Sequence, residues 1–309
     1  MTEQLIERIG KVRLNYQFYR GSDQYSDGDI EEKLLELVRQ YESYEELLIN
    51  ESDWTYLYHL SPVRENLLEW YDFGSGKSLL EIGSGCGAMT GLFCNKCARV
   101  VANDLSRRRS TINAYKNKSA DNLEILVGNF EDIRIDEKFD FVTLIGVLEY
   151  SIYYIDSESP FLDMLKRAKA YLKPGGKLII AIENKYGIKY WAGAREDHTG
   201  KIGDGLMGYP GVERVRTFSK EGLEALLKEA GFSALHFYYP LPDYKLPLEV
   251  YSEKRLPKRY PYVVNTPNYD RDRFSFFDEA KVMNELIQED KFEMFANSFL
   301  IICDGGTEA

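Results

Sequence analysis

The stretch Leu79-Leu80-Glu81-Ile82-Gly83-Ser84-Gly85-Cys86-Gly87 decides the fold. An apolar run of strand character carries an acid, Glu81, and then breaks into glycines at 83, 85 and 87. Glycine takes positive φ without strain and, lacking a Cβ, lets a flat ligand approach the main chain. Residues 88 to 96 can form a helix whose N-terminus faces the same spot. Strand, glycine loop and helix in this order make a nucleotide-type cofactor site on an α/β sheet.

The spacing differs from the dinucleotide fingerprint G-x-G-x-x-G. It reads E-x-G-x-G-x-G, with the acid inside the strand. Downstream, Arg99-Val-Val-Ala-Asn103 is an expected strand ending at Asp104, where an acid can accept both ribose hydroxyls. Leu123 to Val127 is a third strand, followed by Gly128-Asn129-Phe130. Phe139 to Ile145 and the turn through Glu149-Tyr150 read as a fourth. Leu172-Lys-Pro-Gly-Gly-Lys-Leu-Ile-Ile-Ala-Ile182 is a turn leading into a fifth. These five blocks, in this order, resemble the class I S-adenosylmethionine (SAM) methyltransferases. The resemblance implies a Rossmann-like α/β fold with a seven-stranded mixed sheet, and SAM as cofactor. It assigns cofactor contacts to Glu81, Gly83, Gly85, Gly87, Asp104, Leu105, Asn129, Phe130 and Ile145. The family usually has an acid where this chain has Asn129, whose carbonyl oxygen can still accept from the adenine amino group.

The 309 residues are enough to bury a full core. Hydrophobic content of 44% and a mean hydropathy of −0.39 are ordinary for a globular protein. No apolar run approaches the ~20 residues needed to span a bilayer. The start, Met1-Thr-Glu-Gln-Leu-Ile-Glu-Arg8, is charged and lacks a signal-peptide core, so a cytoplasmic location is expected. A net charge of −11 argues against nucleic acid, whose binders carry a basic patch or stripe. Arg107-Arg-Arg109 reads as a solvated helix face. Cys94-x-x-Cys97 has no second pair, and the chain has only three histidines; free thiols and no metal are expected.

Residues 1–75 read as an N-terminal helical segment that can act as a lid. Helices are expected over 30–41, 44–48 and from Ser61-Pro62. Residues 76–309 are the expected catalytic domain, in which alternating strands and helices imply a parallel sheet. A helix follows Ser219 and stops at Gly231; residues 233–239 are a sixth strand and 298–303 a seventh, antiparallel one. Two long connections, 184–217 and 240–297, read as inserts on the substrate side.

Ligands bind at the carboxyl ends of strands in such sheets. That points to Glu149 after the fourth strand, to Glu183 after the fifth, and to Glu196-Asp197-His198-Thr199-Gly200. His198 is the preferred general base for a hydroxyl acceptor, and Glu149 the second catalytic candidate. His59 and His236 read as structural. A wider resemblance rests on I-E-N-K-Y-G-I-K-Y-W-A-G-A-R-E-D-H-T-G (182–200), F-Y-Y-P-L-P-D-Y-K-L-P (237–247) and F-A-N-S-F-L (295–300). These segments look like a bacterial subgroup of methyltransferases associated with cell-surface polysaccharide synthesis. The resemblance implies O-methylation of a sugar, nucleotide-sugar or glycan intermediate, with a homodimer or a glycosyltransferase as partner. Another small-molecule or protein acceptor, or a catalytically silent SAM-binding subunit, stays open.

Overall fold

The computed structural model describes residues 5–21, 28–51, 53–211, 215–268 and 272–306. Residues 1–4 of the charged N-terminal stretch lie outside them. One unit comprises residues 1–144 and 171–177, the other 145–170 and 178–308.

The first unit opens with a hairpin where only helices were expected. Strands β1 (Ile6–Ile9) and β2 (Val12–Phe18) pair antiparallel around Gly10. Along β2, Val12 and Leu14 are fully buried while Arg13 and Asn15 are half-buried, the period-two pattern of a strand. Helices α1 (Asp29–Gln40), α2 (Glu45–Asn50) and α3 (Trp54–Leu60) follow. Ser61 then caps a 3₁₀ turn over Pro62–Leu67, its hydroxyl accepting from Val63 N at 3.3 Å, with Pro62 in the first position. The alternating part comes next: β3 (Ser78–Ile82), α4 (Thr90–Lys96), β4 (Arg99–Asp104), α5 (Arg107–Lys116), β5 (Leu123–Gly128) and β6 (Phe139–Ile145).

Strand order in this unit is β1-β2-β5-β4-β3-β6, and every pair from β2 to β6 is parallel. All five residues of β3 are buried, as parallel strands covered on both faces require. In register, Ile82 neighbours Asn103 and Asp104 neighbours Val127. The glycine loop, Asp104 and Asn129 therefore leave the sheet at one edge, at the ends of three adjacent strands.

The second unit begins with a 3₁₀ turn at Leu148–Tyr150, then α6 (Ser151–Tyr154) and α7 (Pro160–Ala170). Strand β7 (Leu172–Glu183) enters it at Leu178. Then come α8 (Ile188–Trp191), α9 (Lys220–Glu229), β8 (Leu235–Leu241), β9 (Glu249–Ser252), α10 (Glu279–Gln288), α11 (Phe292–Phe295) and β10 (Ser298–Asp304). Here the order is β7-β10-β8-β9, with β8 antiparallel to both β10 and β9. Ser219 caps α9 by accepting from Gly222 N at 3.2 Å, and Gly231, at φ 87°, ends it.

Among the described residues, ten strands stand where seven were expected. The extra three are β1, β2 and β9. β2 covers what would be the bare edge of β5, and β9 does the same for β8. Segment 240–297, read as an insert, supplies β9, α10 and α11. Cys94 and Cys97 are unpaired thiols, pushed up to about 12 and about 11 by burial.

Candidate active site

The glycine loop belongs to the first unit. Gly83 and Gly85 have φ of 68° and 53°, conformations that L side chains resist. Gly85 N donates to Asp104 Oδ2 at 2.8 Å, and Ser106 N donates to Oδ1 at 2.9 Å. Burial pushes the Asp104 carboxyl up, and Arg109 pulls it down. Asn103 Nδ2 donates to Leu126 O and Gly128 O, both at 2.9 Å, and so locks the ends of β4 and β5 together. A methyl group added at Gly85 would meet nothing within 4 Å, so open space lies beside the loop for a ligand.

Gly87 has another reason to be glycine. A Cβ there would stand 2.3 Å from Asn113 Oδ1 of α5. Glu81 lies under the loop, where it accepts from Thr90 Oγ1 at 2.5 Å; burial raises its carboxyl to about 8. Asn113 Nδ2 bonds Thr90 Oγ1 at 3.0 Å and Ser84 Oγ at 3.2 Å, which completes the support. Asn129 Oδ1 accepts from Glu131 N at 3.2 Å and caps the turn that buries Phe130. Leu105 is half-buried behind Asp104, and Ile145, buried, ends β6. From above, Leu34 and Val38 of α1 pack in one apolar cluster with Cys86 and Ile112. The fully buried Glu31 is 2.7 Å from Arg109 Nε.

A polar cluster in the second unit gathers the expected acceptor-side residues. Glu149, Glu183 and His198 side chains are 1%, 0% and 5% exposed. His198 Nε2 lies 3.8 Å from Glu149 Oε1 and 3.9 Å from Glu183 Oε2. Its Nδ1 is 3.0 Å from Glu196 Oε1. Glu196 is held by His198 N at 2.8 Å, Thr199 N at 2.6 Å and Tyr209 OH at 3.1 Å. Tyr209 carries φ of 59°, a strained value for a non-glycine, and its hydroxyl also bonds Thr217 Oγ1 at 2.7 Å. Burial opposes charge on His198, but the carboxylates of Glu149, Glu183 and Glu196 around it outweigh burial and hold the imidazole well above its usual pKa. Burial raises Glu149, against the pull of His198.

Behind this trio lies a buried ionic network. Lys189 Nζ meets Asp243 Oδ2 at 2.7 Å and Asp197 Oδ2 at 2.9 Å. Lys245 Nζ meets Glu183 Oε1 at 2.5 Å and Asp197 Oδ1 at 3.3 Å. Tyr190 OH donates to Asp197. Lys189, Lys245, Asp243, Tyr190 and Tyr209 were not singled out from the sequence. Their signal was present: the lysines and Asp243 lie inside the I-E-N-K and P-D-Y-K segments, as charges among aromatics. His59 is buried and pushed well below its usual pKa by burial; His236 is exposed on β8.

Residues 80–180 match the family model described as "Methyltransferase domain". Curated relatives cover smaller shares. A "Probable protein arginine N-methyltransferase 6.2" of Oryza sativa subsp. indica is 30% identical over 38% of this chain and 29% of its own length. A "Cypemycin N-terminal methyltransferase" of Streptomyces sp is 29% identical over 33% of this chain and 40% of its own. A mitochondrial "Ubiquinone biosynthesis O-methyltransferase" of Dictyostelium discoideum is 27% identical over 37% and 38%. The chain thus spans less than half the length of these relatives. Among solved structures, a Haloferax volcanii methyltransferase in complex with the Trm112 methyltransferase activator superposes with a TM-score of 0.49 and 18% identity, over 82% of this chain and 91% of that one. A glycine loop hydrogen-bonded to Asp104, on the strand order β5-β4-β3-β6, agrees with the family match, and both assign residues 80–180 as a class I methyltransferase domain whose cofactor is S-adenosylmethionine.

Proposed function

We propose that the protein methylates a hydroxyl of a sugar, nucleotide-sugar or glycan intermediate. The observation that carries methyl transfer is the carboxyl edge of the sheet, where Gly83, Gly85, Asp104 and Asn129 follow adjacent strands and open space lies beside Gly85. Bound there, S-adenosylmethionine supplies a methyl group already activated on a sulfonium sulfur. The remaining work falls to the chain: aligning the acceptor oxygen and taking its proton. We assign that work to Glu149 and His198: His198, held charged by its carboxylates, orients the acceptor oxygen, and Glu149 takes the proton. Glu149 Oε2 is buried without a hydrogen-bond partner, the state of an atom kept for a ligand. Residues 184–217 and 240–297 are the proposed acceptor cleft, and residues 1–75 the proposed lid. Their many tyrosines offer flat amphipathic rings to a sugar. A glycosyltransferase or a second copy as partner, and a cytoplasmic location, belong to the same reading. No helix among the described residues is long and apolar enough to cross a membrane.

The test is S-adenosylhomocysteine release with pools of sugars, nucleotide-sugars and lipid-linked glycans. His198→Asn and Glu149→Gln are each expected to lower turnover by about 10²–10⁴-fold with SAM affinity nearly unchanged. Losses below about threefold would return both residues to a structural role. A second reading, a nitrogen acceptor, draws on two observations. One relative is named a protein arginine N-methyltransferase and another an N-terminal methyltransferase, and carboxylates outnumber cations in the buried cluster. Turnover with amine or peptide pools and none with sugars would select it. SAM binding without turnover on any pool would select the silent subunit.

A further inference from the structure

We propose that Glu149, Glu183 and His198 form a binding site for a divalent first-row metal ion. One ligand atom from each residue lies within 4.8 Å of the other two. An ion at the centre of a triangle with edges of this size stands about 2.2–2.8 Å from each corner, close to the range of cations held by nitrogen and oxygen. The three residues come from the turn after β6, the end of β7 and the loop after α8, so backbone in three places fixes the spacing.

Independent features point to an ion. Glu149 Oε2 has no hydrogen-bond partner although its side chain is 1% exposed. Stripping a carboxylate of water without compensation is costly. His198 is also turned as a ligand would be. Glu196 takes Nδ1, leaving Nε2 toward the two carboxylates, and Glu196 itself is fixed by two backbone amides and Tyr209. A carboxylate behind a histidine is the usual support of a metal-bound imidazole. Lys245 takes Oε1 of Glu183 and leaves Oε2 on the His198 side. Finally, the connected cluster sets Glu149, Glu183, Glu196, Asp197 and Asp243 against Lys189, Lys245 and His198. With every carboxyl ionised and the imidazole neutral, as a metal ligand must be, an excess negative charge remains, which a divalent cation offsets. One imidazole and two carboxylates suit Mn²⁺, Fe²⁺ or Zn²⁺. Three protein ligands leave positions on the ion where a hydroxyl oxygen of an acceptor can enter.

Binding of the ion does not depend on methyl transfer, so it is tested without cofactor or acceptor. The chelator-dialysed full chain is titrated with Mn²⁺, and free Mn²⁺ is followed by electron paramagnetic resonance. One ion per chain is expected. Glu149→Gln and Glu183→Gln should weaken it at least tenfold. Glu196→Gln, which removes only the support of the imidazole, should weaken it about 10–100-fold. Glu253→Gln, outside the cluster, should leave it unchanged. A second measurement needs no variant. The chain has only three histidines, and bound Mn²⁺ should broaden the imidazole signal of His198 while sparing that of exposed His236. If neither Mn²⁺ nor Zn²⁺ binds at millimolar concentration, or if both ring signals broaden alike, the site is overturned and Lys245 is the cluster's counter-ion. Bound Mn²⁺ without turnover on any pool would instead defeat the proposed reaction and leave the site standing.

Discussion

Glu81 carries a carboxyl into the buried floor of the glycine loop, and its proton affinity follows from that position. Burial raises it from 4.5 to about 8, while burial lowers the neighbouring Lys116 from 10.5 to about 8. The signs oppose each other in adjacent windows. Between about pH 5 and 8 the native state binds the Glu81 proton more tightly than the unfolded chain, so stability falls as pH rises. Between about 8 and 10 the unfolded chain holds the Lys116 proton more tightly, so stability climbs again. Each limb can reach about 1.4 kcal/mol per pH unit. Urea denaturation across this range should show a minimum near pH 8, and Glu81→Gln should remove the falling limb; an unchanged falling limb would place the effect elsewhere. At the loop's edge, Asp104→Ala removes the acceptor for Gly85 N and Ser106 N as well as the proposed ribose contact. SAM affinity should drop by about 1.5–3 kcal/mol in a calorimetric titration of a variant that still folds. The turn at Gly83 and Gly85 and the strand end at Asp104 were legible because a loop's backbone demands act within a few residues. Lys189, Asp243 and Lys245 were not, because each acquires its role from partners far away in sequence.

Among the elements, the end signals were readable and the edges were not. Ser61, Ser219 and Gly231 punctuate the chain where the sequence says, since a cap needs only its own next turn. Ser219→Ala should cost about 1 kcal/mol, measurable as a lower melting temperature without loss of SAM binding. Strand β2 was missed although Val12-Arg13-Leu14-Asn15 alternates, because it precedes the helices and its partner β5 lies more than a hundred residues on. Strand β9 was hidden by its four-residue length in a proline-rich stretch. The fit of β2 is close: a Cβ on Gly128 would lie 2.4 Å from Phe18 O. Leu14→Ala should therefore cost about 2–5 kcal/mol, as for other buried leucines. A loss under about 1 kcal/mol in a denaturant titration would show that the hairpin is an appendage rather than part of the sheet.

For the molecule as a whole, composition told the class and little else: an acidic globular chain with a long enough sequence to fill a core. The succession of motifs told that these strands run parallel with right-handed crossovers, while their order, β5-β4-β3-β6, came only with the structure. The path of the chain between the units was not legible. It leaves the first unit after Leu144, returns for Tyr171 to Lys177, and leaves again at Leu178. The short return is not idle. Tyr171 O accepts from Phe139 N at 2.8 Å, Tyr171 OH donates to Ile133 O at 2.9 Å, and Lys173 Nζ meets Asp140 Oδ2 at 2.7 Å. A fragment ending at residue 144 would lack all three, and should show a molten near-ultraviolet spectrum where the full chain shows a sharp one. Seven residues borrowed from beyond the cut act as a stitch. A ribosome must therefore deliver Lys177 before the first unit can close, and neither unit can be exchanged with a relative as a single uninterrupted cassette.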